Sequence, residues 1–263
     1  MSNGLLTGKR GIMTGVANDK SIAWGCAQAA AAQGAQLAFS YLGDAQEKRV
    51  KKLIEAIPGS LCFPCDASDD ASIEAFFSSI KQEWDTIDFL VHSIAYADKD
   101  DLAGRFVNTS RKNYAMALDI SAYTLVALAR GAEPLLSNGG SIVAMTYYGA
   151  EKVLPGYNVM GVAKAALEAS ARYLAYDLGP QNIRINCISA GPVRTLSSAA
   201  ISGFRKMLNA NAAVAPLRRN ITTDEVGSTA VYLLSDLASG VTGEIHHVDA
   251  GYNILGLFGE LES

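Results

Sequence analysis

The sequence predicts an α/β chain built on one doubly wound parallel sheet of about seven strands, with helices on both faces. Three observations predict it. Short apolar runs alternate with longer stretches of helical periodicity along almost the whole chain. Those runs are apolar throughout instead of alternating with polar residues, as strands are when helices cover both sides of a parallel sheet. Finally, 263 residues with 49% hydrophobic and only 18% charged composition supply one large core. No repeat, low-complexity tract or Pro/Gly/Ser linker divides the chain, so residues 1–263 read as a single domain.

Taken in order, the strand candidates are Arg10–Thr14, Gln36–Ser40, Leu61–Phe63, Asp88–His92, Ser141–Met145, Arg184–Ser189 and Glu244–Val248. Helical patterns lie between them near residues 21–33, 44–56, 70–84, 110–136, 158–178 and 222–236. This βαβα series is Rossmann-like, and such sheets bind ligands in the crevice at the carboxyl ends of their strands. The segments just after the strands are therefore where chemistry is expected.

Composition excludes several functions. Lys plus Arg number 22 against 26 for Asp plus Glu, a formal charge of −4, and a nucleic-acid binder normally carries a basic excess. There is no run of eighteen consecutive apolar residues, and Met1 to Thr14 lacks the charged head and apolar run of a secretory leader. The chain reads as soluble and cytoplasmic, with neither nucleic acid nor membrane among its partners. Four cysteines, at 26, 62, 65 and 187, are too few for a disulfide scaffold. Cys62 and Cys65 have CxxC spacing, but His92, His246 and His247 are too scattered to complete a zinc site. The pair closes an apolar strand instead of opening a helix, so both read as buried, reduced thiols, and no metal is expected.

The first strand-to-helix turn runs from Thr14 to Gly25. A dinucleotide fold wants glycines there so that the backbone approaches a pyrophosphate at the helix N-terminus. Only Gly15 and Gly25 stand in plausible places. Ser21 suits the N-cap of a helix starting at Ile22, and its hydroxyl either faces a phosphate or simply caps a ligand-free turn. The second strand runs into Tyr41-Leu42-Gly43-Asp44, with Leu42 where an acid commonly holds the ribose 2′-hydroxyl of NAD. A 2′-phosphate normally requires a cation held against it, and this strand end offers none and one acid. NADH is therefore the expected cofactor, although Lys48 and Arg49 on the next helix keep NADPH open. After the third strand, Asp66 either accepts from an adenine amino group or caps the following helix.

Two Tyr/Lys pairs follow the fifth strand. Tyr148 and Lys152 have Tyr-x-x-x-Lys spacing, but Pro155 and Gly156 follow at once and leave no stable helix to hold them. Tyr157 and Lys164 are seven apart at the start of a long helix. Seven steps of about 100° return Lys164 to within roughly 20° of the Tyr157 azimuth, roughly 10 Å along the axis. An ammonium there stabilises charge near the tyrosine oxygen and reaches sugar hydroxyls. The plainer alternative is a buried Tyr with a snorkelling Lys.

The run Ser189 to Thr195, the segment Tyr157 to Gly161 with Lys164, and His92-Ser93-Ile94-Ala95 together resemble the bacterial enoyl-acyl-carrier-protein reductases of the short-chain dehydrogenase superfamily. The resemblance extends from Leu6 to the Glu260-Leu261-Glu262 tail. It implies reduction of a trans-2-enoyl thioester carried on acyl carrier protein, the last reductive step of fatty-acid elongation. Its active-site residues would be Tyr147, Tyr157 and Lys164. Cofactor contacts would fall on Gly15, Ser21, Ile22, Leu42, Asp66, Ala67, Ile94, Lys164, Val193, Arg194, Thr195, Leu196 and Ser197, and Ala97 would line the acyl pocket. The family often has Gly where this chain has Ala95, and Gln where it has Leu42.

The implied chemistry is hydride transfer to the C3 carbon of the enoyl thioester, with Tyr157 donating to the enolate oxygen as charge develops. Lys164 would orient the nicotinamide ribose and Tyr147 would line the pocket. Residues 194–212, rich in Ala and Ser, read as a substrate-binding lid, on which Arg205 and Lys206 either meet the acidic carrier protein or form a solvated basic face. Where relatives carry a further lysine this chain has Ser202. The family resemblance also implies a homotetramer. Two other functions compete: a 3-ketoacyl or other carbonyl reductase, which would use Tyr-x-x-x-Lys, and a non-catalytic dinucleotide sensor, which would need no Tyr157 and Lys164.

Overall fold

The strands β1 (Arg10–Met13), β2 (Gln36–Tyr41), β3 (Leu61–Pro64), β4 (Phe89–His92), β5 (Gly140–Thr146), β6 (Ile183–Ala190) and β7 (Ile245–Val248) form one sheet. The computed structural model describes residues 4–98, 102, 104–195 and 204–256. The seven strands are all parallel, in the order β3-β2-β1-β4-β5-β6-β7. The winding direction reverses between β1 and β4, which opens a crevice above their carboxyl ends.

Helices α1 (Ile22–Ala32), α2 (Gly43–Ile54), α3 (Asp70–Glu83), α4 (Arg111–Leu118), α5 (Thr124–Ala132), α6 (Val159–Leu178), α7 (Phe204–Val214) and α8 (Thr223–Leu234) connect them. Each central strand is apolar on both faces because each face has its own core. Met13, Val91 and Val143 pack with Trp24, Phe39 and Val226 on the α1/α8 side. Their strand neighbours Ile12, Leu90 and Ile142 pack with Phe76, Leu125 and Leu167 on the other side. Helices α1 and α8 touch through glycines: a Cβ on Gly227 would lie 2.7 Å from the Gly25 carbonyl oxygen.

Two sequence expectations are corrected. The stretch 110–136 is not one helix: a π-helical turn, Asp119–Tyr123, separates α4 from α5, and a 3-10 turn containing Pro134 ends it. The run Arg111–Leu135 is long and apolar enough to cross a membrane, but half of its most apolar window is buried inside this fold, as in a core helix. Tyr157 does not belong to α6, because Asn158 breaks the helical path with φ 42° and ψ −121°. Tyr157 and Lys164 therefore do not share one helical face. Within the expected lid, residues from Phe204 onward fold as α7, while Leu196, Ser197 and Ser202 lie outside the described residues.

Candidate active site

Gly15 stands at the end of β1 with φ 81°, a backbone conformation that L side chains rarely adopt. A Cβ there would also sit 2.0 Å from the Ser93 carbonyl oxygen, so the loops after β1 and β4 approach as closely as glycine permits. Ser21 occupies the N-cap position of α1 but does not cap it. Its hydroxyl donates to the Asn18 carbonyl at 2.7 Å, and no side chain caps the helix. The Ser21 hydroxyl thus closes the turn on itself and leaves the α1 N-terminus without a side-chain cap, where an anionic pyrophosphate fits.

At the end of β2, Leu42 is exposed. Gln46, which carries no signal in the local sequence, organises this corner: it accepts from the Leu42 N–H at 2.5 Å and donates to the Val16 carbonyl at 3.0 Å. Arg49 is turned back onto its own helix by a bond to the Ala45 carbonyl. Beyond β3, Asp66 does not cap the next helix. One of its oxygens accepts from the Ser68 N–H and hydroxyl, and Asp69 is the cap, accepting from the Ala71 N–H. The neighbouring thiol of Cys65 is pushed up to about 12, mainly by burial, which removes it from thiolate chemistry.

The tyrosines meet at the end of β5. Tyr147 and Tyr157 pack edge to face with centroids 4.9 Å apart. The turn Tyr148–Ala150 lies directly beneath Tyr157, whose ring would stand 2.3 Å from a Cβ on Gly149. Tyr148 is buried and its hydroxyl donates to the Asn253 carbonyl, whereas Lys152 is exposed. Burial pushes the Tyr147 hydroxyl up to about 12 and Tyr157 higher still, so both remain protonated donors.

Lys164 is buried on α6, and its Nζ donates to the Met145 carbonyl at 2.7 Å. Burial depresses it to about 8, opposed by the Cys187 and Glu168 charges. Glu168, one turn further on, is also buried and accepts from the Thr146 hydroxyl at 2.6 Å; burial raises its carboxyl. His92, at the end of β4, is pushed down to about 3 by burial and then by Lys164, so its ring stays neutral.

The structure thus gathers Gly15, Ser21, Ile22, Ile94, Tyr147, Tyr157, Lys164 and Val193 to Thr195 around the carboxyl ends of β1, β4, β5 and β6. Leu42, Asp66 and Ala67 lie along the same edge at β2 and β3, and Ala97 follows Ile94 on the loop after β4. Arg205 and Lys206 are exposed on α7, whose Met207 sulfur lies 3.7 Å from the Tyr147 hydroxyl. The glycine clearance, the uncapped helix end and the cation-free β2 terminus fit an adenine dinucleotide. Sequence reasoning misses Gly149, which shows no signal beside Tyr157, and Gln46 and Glu168, whose partners Val16 and Thr146 lie 30 and 22 residues away.

Comparison with known proteins gives a consistent result. The model of the family described as enoyl-(acyl carrier protein) reductase matches residues 15–253. The chain is 56% identical over 256 residues to an enoyl-acyl-carrier-protein reductase (NADH), FabI, of Rickettsia prowazekii, covering 97% of this chain and 98% of that protein. Among solved structures, an enoyl-acyl-carrier-protein reductase of Anaplasma phagocytophilum in complex with NAD superposes with a TM-score of 0.94 at 51% identity, covering 100% of this chain and 98% of that one. The Bacillus cereus enoyl-acyl-carrier-protein reductase with NADP+ and indole naphthyridinone gives 0.95 at 52% identity, covering 97% and 100%.

Proposed function

The chain belongs to the enoyl-acyl-carrier-protein reductase family, and from that premise we propose that it uses NADH to reduce the carbon–carbon double bond of trans-2-enoyl thioesters on acyl carrier protein during fatty-acid elongation. The observation that supports the reading is the Tyr147–Tyr157 pair set edge to face after β5, with buried Lys164 bonded to Met145 of that same strand.

Bound NADH supplies the hydride for the thioester C3 carbon. The residues of this chain do the rest. The Tyr157 hydroxyl, kept protonated by burial, donates to the thioester oxygen as negative charge develops there. Lys164 holds the ribose hydroxyls through the donors left after its bond to Met145, and its charge favours the developing enolate. Tyr147 lines the acyl pocket and braces the Tyr157 ring. Gly15, Ser21 and Ile22 take the pyrophosphate; Leu42, Asp66 and Ala67 bound the adenosine half; Ile94 and the 193–197 segment bound the nicotinamide half. Ala97 borders the acyl chain, beneath a lid of about 194–212 on which Arg205 and Lys206 meet the acidic carrier protein. Tyr41 to Asp44, with no cation, favour NADH over NADPH.

The protein works as a single-domain homotetramer in the cytoplasm, away from membranes and nucleic acid. The exposed Tyr173 and Tyr176 on the outer side of α6 support burial against a second copy. Mixing the purified protein with crotonyl-CoA and NADH tests the activity: nicotinamide absorbance falls with this substrate and not with acetoacetyl-CoA. Turnover of acetoacetyl-CoA alone would make it a carbonyl reductase, and turnover of neither would remove the enzymatic reading.

A further inference from the structure

The π-helical turn Asp119–Tyr123 is the one departure from α geometry inside an otherwise regular run, and such insertions recur at functional sites. It turns two fully buried hydroxyls, those of Ser121 and Thr124, toward the segment that leaves β4. Thr124 donates to the Ile120 carbonyl at 2.7 Å. Its oxygen therefore accepts from the His92 Nε2–H at 2.8 Å. Ser121 accepts from the Tyr96 N–H and donates to the Tyr96 carbonyl, both at 3.0 Å, so one hydroxyl holds both backbone groups of a single residue. The Met160 sulfur, 3.7 Å away at the start of α6, is its alternative acceptor.

His92 and Tyr96 are the two ends of a short segment, and between them run Ser93, Ile94 and Ala95 opposite Gly15. Packing does little to hold the far end, because Ala95 and Tyr96 are exposed. Hydrogen bonds must do it instead. We propose that Ser121 and Thr124 are positioning residues: the π turn clamps segment 92–96 at both ends and thereby sets the wall against which dinucleotide and acyl chain bind. A regular α-helix through 119–123 would change the angle between the two hydroxyls, so that one bond is kept only at the expense of the other. The acyl part of this inference rests on the enoyl-reductase reading, whereas the dinucleotide part stands without it.

The test compares Ser121→Ala, Thr124→Val and Thr124→Ser in the full-length protein. The NADH dissociation constant, KM and kcat with crotonyl-CoA, and the thermal midpoint are measured for each. Losing one end of the clamp raises the NADH dissociation constant and the crotonyl-CoA KM by about tenfold, the scale of one lost buried hydrogen bond, while kcat moves by less than about threefold. Thr124→Ser keeps the hydroxyl and restores both constants to within about twofold. Binding constants unchanged in folded Ser121→Ala and Thr124→Val would overturn the proposal. So would a lowered midpoint with kcat falling in step and no rescue by Thr124→Ser, which would assign both residues to helix packing. Should Ser121→Ala fail to fold, the Thr124 pair decides. Wild-type protein that binds NADH without reducing crotonyl-CoA would refute the enoyl reading alone, and the NADH constants would still test the clamp.

Discussion

Gly149→Ala isolates how Tyr157 is positioned. Gly149 has no positive φ, so alanine suits its backbone and the only change is one methyl group. That methyl would stand 2.3 Å from Tyr157 Cδ1 and 2.8 Å from Cε1, where ordinary contact begins near 3.4 Å. The ring must withdraw by about 1 Å, and it cannot do so freely because Tyr147 packs edge-on at 4.9 Å. A displacement of about 1 Å at a catalytic group costs on the order of 10²-fold in rate, or about 2.7 kcal/mol. The variant is therefore expected to reduce crotonyl-CoA about 100-fold more slowly. Its NADH affinity should stay within about threefold, since the Lys164–Met145 bond is untouched. Overpacking lowers folding stability by about 1–3 kcal/mol, readable by urea unfolding. The sharpest control is the same change in a Tyr157→Phe background, where the displaced ring has no hydroxyl left to lose and Gly149→Ala should add little. Near-wild-type kcat in the single variant, or full additivity in the double, would refute the reasoning.

Tyr157→Phe alone should lower kcat by roughly 10²- to 10³-fold, the cost of one oxyanion donor, with NADH titrations unchanged. Lys164→Met should abolish tight NADH binding while altering the pH dependence of folding. Burial lowers Lys164 from 10.5 to about 8, so the unfolded state binds more protons between those values and wild-type stability rises with pH there. Holding the ammonium charged at neutral pH costs about 3 kcal/mol on that basis, and urea unfolding at pH 7 and near pH 10 should show the rise in wild type and not in the Met variant. Leu42→Arg places a cation at the vacant β2 end and should raise NADPH kcat/KM relative to NADH by at least about tenfold, and an unchanged ratio would move the 2′ site elsewhere.

Much of the architecture is legible in the amino-acid sequence alone, because apolar runs report burial and burial on both faces means a covered parallel sheet. Gly15, Tyr157 and Lys164 stand out for similarly local reasons: a turn that needs glycine, and a titratable pair just after a strand. What local sequence does not decide is how distant pieces meet. Nothing around Ser121 distinguishes it from any serine in a helix, since its partner Tyr96 lies 25 residues away, and that of Gln46, Val16, lies 30 away. Ser21 has the composition of a cap, yet its hydroxyl bonds to the Asn18 carbonyl. The Tyr157 and Lys164 spacing implies one shared helical face, but Asn158 starts the helix after the tyrosine and Gly149 sets the ring. Periodicity and propensity report each residue's average surroundings. Single hydrogen bonds and clearances of an ångström exist only once the strands have brought their loops to one edge of the sheet.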